Sequence, residues 1–161
     1  MRFGFFFLLL VCLFSCSSDP VQELQPLNLL KYGIPLVLLA PDSAKVKSVD
    51  MGIAKDITVV GNDDYSIQII ASKALTNDLA KIKADQISGV KSNPFFSKIV
   101  KEEAQGFIFE NAIDSARTNY GFRYIHLIGD QELVIQNGLL GIFSLEEIET
   151  MYQAVHAQKM K

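Results

Sequence analysis

The feature that most constrains the fold is a series of short, β-branched segments separated by turn-forming residues. Over residues 65–71, YSIQIIA, apolar side chains alternate with Ser66 and Gln68. This alternation predicts a strand with one buried face and one largely solvated face. Comparable segments occupy residues 34–40, 44–49, 56–60, 96–103, 106–113, 122–128 and 132–136. The chain is therefore expected to form a sheet whose sequence neighbours pair through short turns.

Two segments change from strand spacing to helical spacing. Apolar residues recur on one helical face over 76–90, where Thr76 is expected to cap the helix. Ser144 and Glu147 form a capping box at the start of a second periodic segment, 148–155. The order of strands, helix, strands and helix predicts an α+β fold, in which a mostly antiparallel sheet is covered by two helices.

The second half of the chain carries a resemblance to a known fold. The segments GFIFENAI, GFRYIHLIGDQELVIQ and FSLEEIETMYQAV follow one another as hairpins and then a capped helix. In this order they resemble the PsbP-like fold, named for an extrinsic photosystem subunit and found in small bacterial lipoproteins. The resemblance implies an accessory or partner-binding role, and it assigns no functional residue.

The first residues predict where the protein is directed. Arg2 precedes an apolar run, Phe3–Phe14, that is shorter than the roughly 20 residues a membrane-spanning helix requires. The sequence Leu13-Phe14-Ser15-Cys16 at its end resembles the lipobox of bacterial lipoproteins. The resemblance implies that residues 1–15 are a signal peptide and that Cys16 carries the lipid. The alternative is an ordinary secretory peptide with a chance cysteine.

The resemblance to lipoproteins also implies a location and a domain organisation. Ser17, rather than an aspartate, follows the cysteine, which favours the outer membrane of the cell envelope, facing the periplasm. Residues 16–31, with two prolines and no sustained period, are interpreted as the lipidated cysteine and a flexible tether. Residues 32–161 are then expected to form a single domain.

Composition excludes several classes of function. Removal of residues 1–15 leaves 14 basic and 18 acidic residues, a net charge of −4, which argues against nucleic-acid binding. The chain has two cysteines, Cys12 and Cys16, so a domain without the signal peptide and with a lipidated Cys16 has no free thiol. Disulfides and cysteine metal sites are therefore not expected, and no cofactor is predicted.

Two histidines and one acidic turn are the residues that could bind a metal ion. His126 and His156 are too few for a zinc site, which usually needs three or four protein ligands. A structural His126, hydrogen-bonded at a sheet face, is favoured. Asn62-Asp63-Asp64 lacks the ligand spacing of an EF-hand loop and is interpreted as a solvated turn. No metal site is therefore predicted.

The best candidate site is a cluster of arginine and tyrosine in the segment ARTNYGFRY. Arg117, Tyr120 and Arg123 fall in this segment, where a loop is expected, and both residue types are enriched at interface hot spots. They are predicted to bind a partner protein. The sequence thus favours a membrane-anchored envelope lipoprotein that acts as a non-enzymatic binding or assembly module. The alternative is a small envelope hydrolase or ligand carrier with a pocket near His126.

Overall fold

A computed structural model describes residues 24–61 and 64–156. The described residues form nine strands, two α-helices and one 3-10 turn, Leu30–Tyr32. The strands and helices, in chain order, are β1 Gln25–Asn28, β2 Val37–Ala40, β3 Lys45–Asp50, β4 Ala54–Val60, β5 Ser66–Lys73, α1 Leu79–Lys91, β6 Phe96–Glu102, β7 Gly106–Ala112, β8 Thr118–Ile128, β9 Gln131–Asn137 and α2 Leu145–His156. The fold is α+β, as predicted.

Seven strands form one antiparallel sheet in the order β3-β4-β5-β9-β8-β7-β6, and β1 and β2 form a separate hairpin. The chain builds one half of the sheet with β3 to β5 and the other half with β6 to β9. The two halves join where β5 pairs with β9, and Ile69 lies opposite Ile135 there. Because α1 connects β5 to β6, the join depends on contacts between residues far apart in sequence.

The two faces of the sheet are covered differently. Phe122 and Tyr124 of β8 point towards α2, where both rings pack edge-on against Tyr152. The β1–β2 hairpin adds Leu29 and Leu38 to the same main core. We call this side of the sheet the α2 face. Burial of these large apolar side chains supplies the main stabilisation of the fold.

The opposite side, the α1 face, has a smaller apolar cluster. Val90 of α1 packs there with Phe107 and Phe109 of β7. Side chains alternate along a strand, so Arg123, between Phe122 and Tyr124, also points to the α1 face. Helix α1 packs on β8, while β4, β5 and β9 carry Thr58, Gln68 and Gln136 on this same face. The helix therefore leaves part of this face uncovered.

The helix ends follow the local sequence, with one difference from the prediction. The Ser144 amide donates to Glu147 Oε2 at 2.6 Å and the Glu147 amide donates to Ser144 Oγ at 3.3 Å, which confirms the capping box. Helix α1 is capped by Asp78, whose carboxylate accepts from the Lys81 amide, and not by Thr76. Thr76 Oγ1 instead accepts from the amide of Asp78, the N-cap residue itself.

Two further predictions differ from the structure. The ordered fold begins well before Tyr32, because Leu29 is fully buried in the main core, within the segment predicted to be a tether. The predicted loop before Phe122 is largely strand, since β8 extends from Thr118. Residues 1–23, which include Cys16, and residues 62–63 of the predicted acidic turn lie outside the described residues.

Candidate functional site: a groove on the α1 face

A groove of about 420 Å³ lies between α1, the sheet and the loop after β9. Gly89 and Val90 of α1 form one wall, Phe109 and Gly121 contribute to the floor, and Leu139 stands on the other side. A second groove of about 460 Å³, over β4 and β5, shares Gly138 and Leu139 with the first. The two grooves adjoin at Gly138 and Leu139, over the uncovered part of the α1 face.

Among the residues that the structure describes, Arg123 is the only cationic side chain that lines the first groove. Its guanidinium lies over the ring of Phe109, with 5.6 Å between Cζ and the ring centroid, and Nη1 donates to the backbone oxygen of Phe122 at 3.1 Å. It makes no ion pair with any residue the structure describes. Burial lowers the pKa of Arg123 to about 10. The groove therefore holds a partly buried positive charge that forms no ion pair within the described ranges.

Amide side chains provide most of the remaining polar groups in this groove. Asn119 Oδ1 accepts from the Phe143 amide at 2.8 Å, and Asn137 Oδ1 accepts from the Phe122 amide at 3.1 Å. Asn111, opposite Asn119 on β7, has a buried Oδ1 with no hydrogen-bond partner among the described residues. Two amides are thus fixed by the backbone, and one retains unused hydrogen-bonding capacity.

A row of hydrogen-bonded side chains crosses the floor from β9 to β4. Gln136 Nε2 donates to Gln68 Oε1 at 2.6 Å, and Gln68 Nε2 donates to Asp56 Oδ2 at 2.5 Å. Thr58 Oγ1 donates to the other oxygen of the same carboxylate at 3.3 Å. Gln68 and Gln136 are buried. This face of β5, which was predicted to be largely solvated, therefore carries a buried network of hydrogen-bonded side chains.

The rim of the groove carries exposed apolar side chains in the loop between β9 and α2. Leu139, Leu140 and Ile142 are 78%, 90% and 59% exposed. Both ends of this loop are held by backbone hydrogen bonds, from the Gly138 amide to Ser66 and from the Tyr120 amide to Phe143. Sequence reasoning missed this surface, although three apolar residues in so short a loop are a signal that could have indicated it.

The predicted partner-binding residues do not form one surface. Arg117 lies at the exposed β7–β8 connection, where its Nε donates to Asp114 Oδ2 at 2.7 Å. The side chain of Tyr120 packs against the main core on the α2 face. Arg123 points into the groove, and Tyr120 also contributes to the lining of the groove. The sequence cluster is therefore divided between the turn and the two faces of one strand.

The two histidines lie on the α2 face, away from the groove. Both ring nitrogens of His126 are buried and have no hydrogen-bond partner among the described residues, so the expected hydrogen bond at the sheet face is absent there. Burial lowers the pKa of His126. His126 lines neither groove, so these cavities do not support the alternative of a pocket at this residue.

His156 belongs to a network that fastens α2 to the β6–β7 turn. Tyr152 Oη donates to Glu103 Oε2 at 3.0 Å, and His156 Nε2 lies 3.9 Å from the same oxygen. A hydrogen bond from Lys101 is the main factor that lowers the pKa of Glu103. Burial, with Glu103 nearby, raises the pKa of Tyr152. Sequence reasoning missed this network because its members are far apart along the chain.

Metal-binding clusters and membrane-spanning helices are both absent from the part of the chain that the structure describes. Within residues 24–61 and 64–156, no three His, Cys, Asp or Glu side chains come together in a way that could hold a metal ion. No helix in the same ranges combines the length and apolar character of a membrane span.

Comparison of the chain with protein-family models, with curated proteins and with solved structures finds no match in any of the three.

Proposed function

We propose that this protein is a lipid-anchored, non-enzymatic binding module of the bacterial cell envelope, and that it engages its partner through the groove on the α1 face. The single observation that carries the proposal is the composition of that groove. It joins Arg123, a cation without an ion-pair partner among the described residues, and unused amide capacity at Asn111 to an exposed apolar rim at Leu139 and Leu140.

Each of these groups is of a kind that binding sites use. Pockets that bind ligands contain a few placed polar groups that fix the orientation of the ligand. Arginine and exposed apolar side chains next to a concave surface are typical of interfaces. The lipobox resemblance at Cys16 supplies the expected anchor, because a lipidated N-terminus holds a domain at a membrane surface without a spanning helix.

The proposal is tested by photo-crosslinking in the native envelope. A photoreactive amino acid at position 140 should give a discrete crosslinked product. The matched control is position 75. Leu75 is similarly exposed, 98% against 90% for Leu140. It lies just after the C-terminal end of β5, whereas the groove lies near the N-terminal end of that strand. Products of the same identity from both positions, or from neither, would contradict the proposal.

A second pair of variants tests whether the crosslink requires the groove. A Cβ atom at Gly89 would meet nothing within 4 Å, so a side chain there can enter the groove without a clash. Gly89→Phe should abolish the crosslink from position 140, while Gly89→Ala should preserve it. An unaltered crosslink in Gly89→Phe would show that the partner does not bind in the groove.

A further inference from the structure

The charge of Arg123 is the feature of the groove that most restricts the chemistry of a ligand. Arg117 and Arg123 are the two arginines in the described residues, and they have opposite environments. Arg117 is exposed and paired with Asp114, whereas Arg123 is partly buried and forms no ion pair with another described residue. A charge removed from water without a partner costs stability, so a counterion from outside the described fold would relieve this cost.

The orientation of the guanidinium leaves it able to bind a planar anion. Arginine has five N–H donors, and Arg123 commits only Nη1, to the backbone oxygen of Phe122. Its position over the Phe109 ring restricts the rotation of the side chain. A guanidinium held in this way can form two parallel hydrogen bonds to a carboxylate.

The other groups that line the groove favour a singly charged anion over a phosphate. In the described part of the chain no lysine or second arginine lines it, and Asp85 contributes a negative charge on the α1 side. A phosphate group carries up to two negative charges near pH 7 and is usually bound by several cations or by a row of backbone amides. One arginine among neutral amides matches a carboxylate better.

Asn111 and the second groove indicate what the carboxylate belongs to. The buried Oδ1 of Asn111 has no donor, and an amide N–H close to a carboxylate would provide one. The second groove adjoins the first at Gly138 and is lined by Thr58 and Gln68, so the two together are longer than a small acid requires. The apolar Leu139 and Leu140 border the second groove.

From these observations we infer that the groove binds the C-terminal carboxylate of an extended peptide, with Arg123 as its carboxylate-binding residue and Asn111 as acceptor for a nearby peptide N–H. Preceding residues of the peptide lie over Gln136 and Gln68, and their apolar side chains contact Leu139 and Leu140. This inference rests on the proposed function, since it names the ligand chemistry of the same groove. Capture of a terminal carboxylate is one of the recurring modes of peptide recognition.

The test uses the purified full chain and three mixtures of randomised hexapeptides, each biotinylated at the N-terminus. The first mixture ends in a free carboxylate, the second in an amide, and the third in an amide with a glutamate at a central position. Wild-type protein should bind the first mixture, and binding to the other two should be at least about 30-fold weaker. Equal binding to the third mixture would show that any carboxylate suffices and would overturn the terminal-carboxylate inference.

Substitutions then connect binding to Arg123. Arg123→Met should weaken binding of the free-acid mixture at least about 30-fold, and Arg117→Met should leave it unchanged. Arg123→Lys keeps the charge without the planar fork and should bind more weakly than wild type but more tightly than Arg123→Met. Thermal melting of each variant reports whether it is folded. Undiminished binding in folded Arg123→Met, or no binding of any mixture by wild type, would overturn the inference.

Failure of this inference is distinguishable from failure of the proposed function. If the amide and free-acid mixtures bind equally and Gly89→Phe blocks both, the groove is a peptide site but the carboxylate assignment is wrong. If no mixture binds while the crosslink from position 140 still depends on Gly89, the proposed function stands and the peptide inference is wrong.

Discussion

The ring of Phe109 lies over Gly121, its cross-strand neighbour on β8. A Cβ atom at Gly121 would stand 2.6 Å from Phe109 Cζ and 3.0 Å from Asn137 Oδ1. The guanidinium of Arg123 lies over the same ring. The missing side chain at position 121 therefore sets the position of Phe109, and through it the shape of the groove and the placement of its cation.

Gly121→Ala is expected to destabilise the protein by about 1–3 kcal/mol, because the new methyl group displaces a packed aromatic ring. Gly89→Ala is the matched control. It adds the same methyl group in open space on α1 and should raise the free energy of unfolding by up to about 1 kcal/mol. Urea unfolding measures both. A similar change in the two variants would contradict the role assigned to Gly121.

Arg123→Met is expected to leave the free energy of unfolding unchanged or to raise it by up to about 1 kcal/mol. The apolar side chain keeps most of the contact with Phe109 and removes a charge that has no counterion among the described residues. Arg117→Met, at an exposed ion pair, should change stability by less than about 0.5 kcal/mol. If Arg123→Met instead lowers stability by more than about 1 kcal/mol in urea unfolding, Arg123 has a structural role.

Gln136→Leu is expected to cost about 1–3 kcal/mol, because it leaves the buried Oε1 of Gln68 without its donor. The double variant Gln68→Leu, Gln136→Leu should recover part of this loss, since both buried amides are then replaced. A double-mutant cycle measured by urea unfolding gives the coupling between them. If the losses of the two single variants add up to the loss of the double variant, the interaction between the two amides contributes nothing to stability.

The pH dependence of stability between about pH 7.5 and pH 5.5 should be governed by His126. Burial lowers the folded-state pKa of His126 below its ordinary value of 6.5, so the unfolded chain binds more protons in this range. Stability is therefore full above pH 6.5 and falls as the pH drops through that value. His126→Phe should flatten the profile, and His156→Gln should not. A sloping profile in His126→Phe would assign the loss to other groups.

Cys16→Ala is expected to abolish lipid labelling and to release the protein from the membrane fraction. The reason is that the apolar run before Cys16 is too short to span a bilayer, so anchoring depends on the lipid. Cys12→Ala is the control, because Cys12 lies within the predicted signal peptide. Membrane retention of the Cys16→Ala variant with unchanged mass would refute the anchoring proposal.

Much of the fold was predictable because its signals are local. Alternation over residues 65–71 and the capping box at Ser144 and Glu147 act within a few residues, and the structure confirms β5 and α2 where these signals occur. Helix α1 was also expected, although Asp78 rather than Thr76 supplies the cap. Two hydroxyl or carboxyl side chains near one helix start compete for the same amides, and their sequence order does not decide which one binds.

The sequence by itself determined the elements, the α+β class and the presence of an arginine–tyrosine cluster, because periodicity and turn chemistry depend on neighbours along the chain. Tertiary structure decided which side of the sheet each residue occupies. Arg117, Tyr120 and Arg123 lie within seven residues of one another, yet the strand pleat and the packing of α1 and α2 on opposite faces separate them. The groove exists because α1 is narrower than the seven-stranded sheet it covers, and only the completed sheet brings Gln68 beside Gln136.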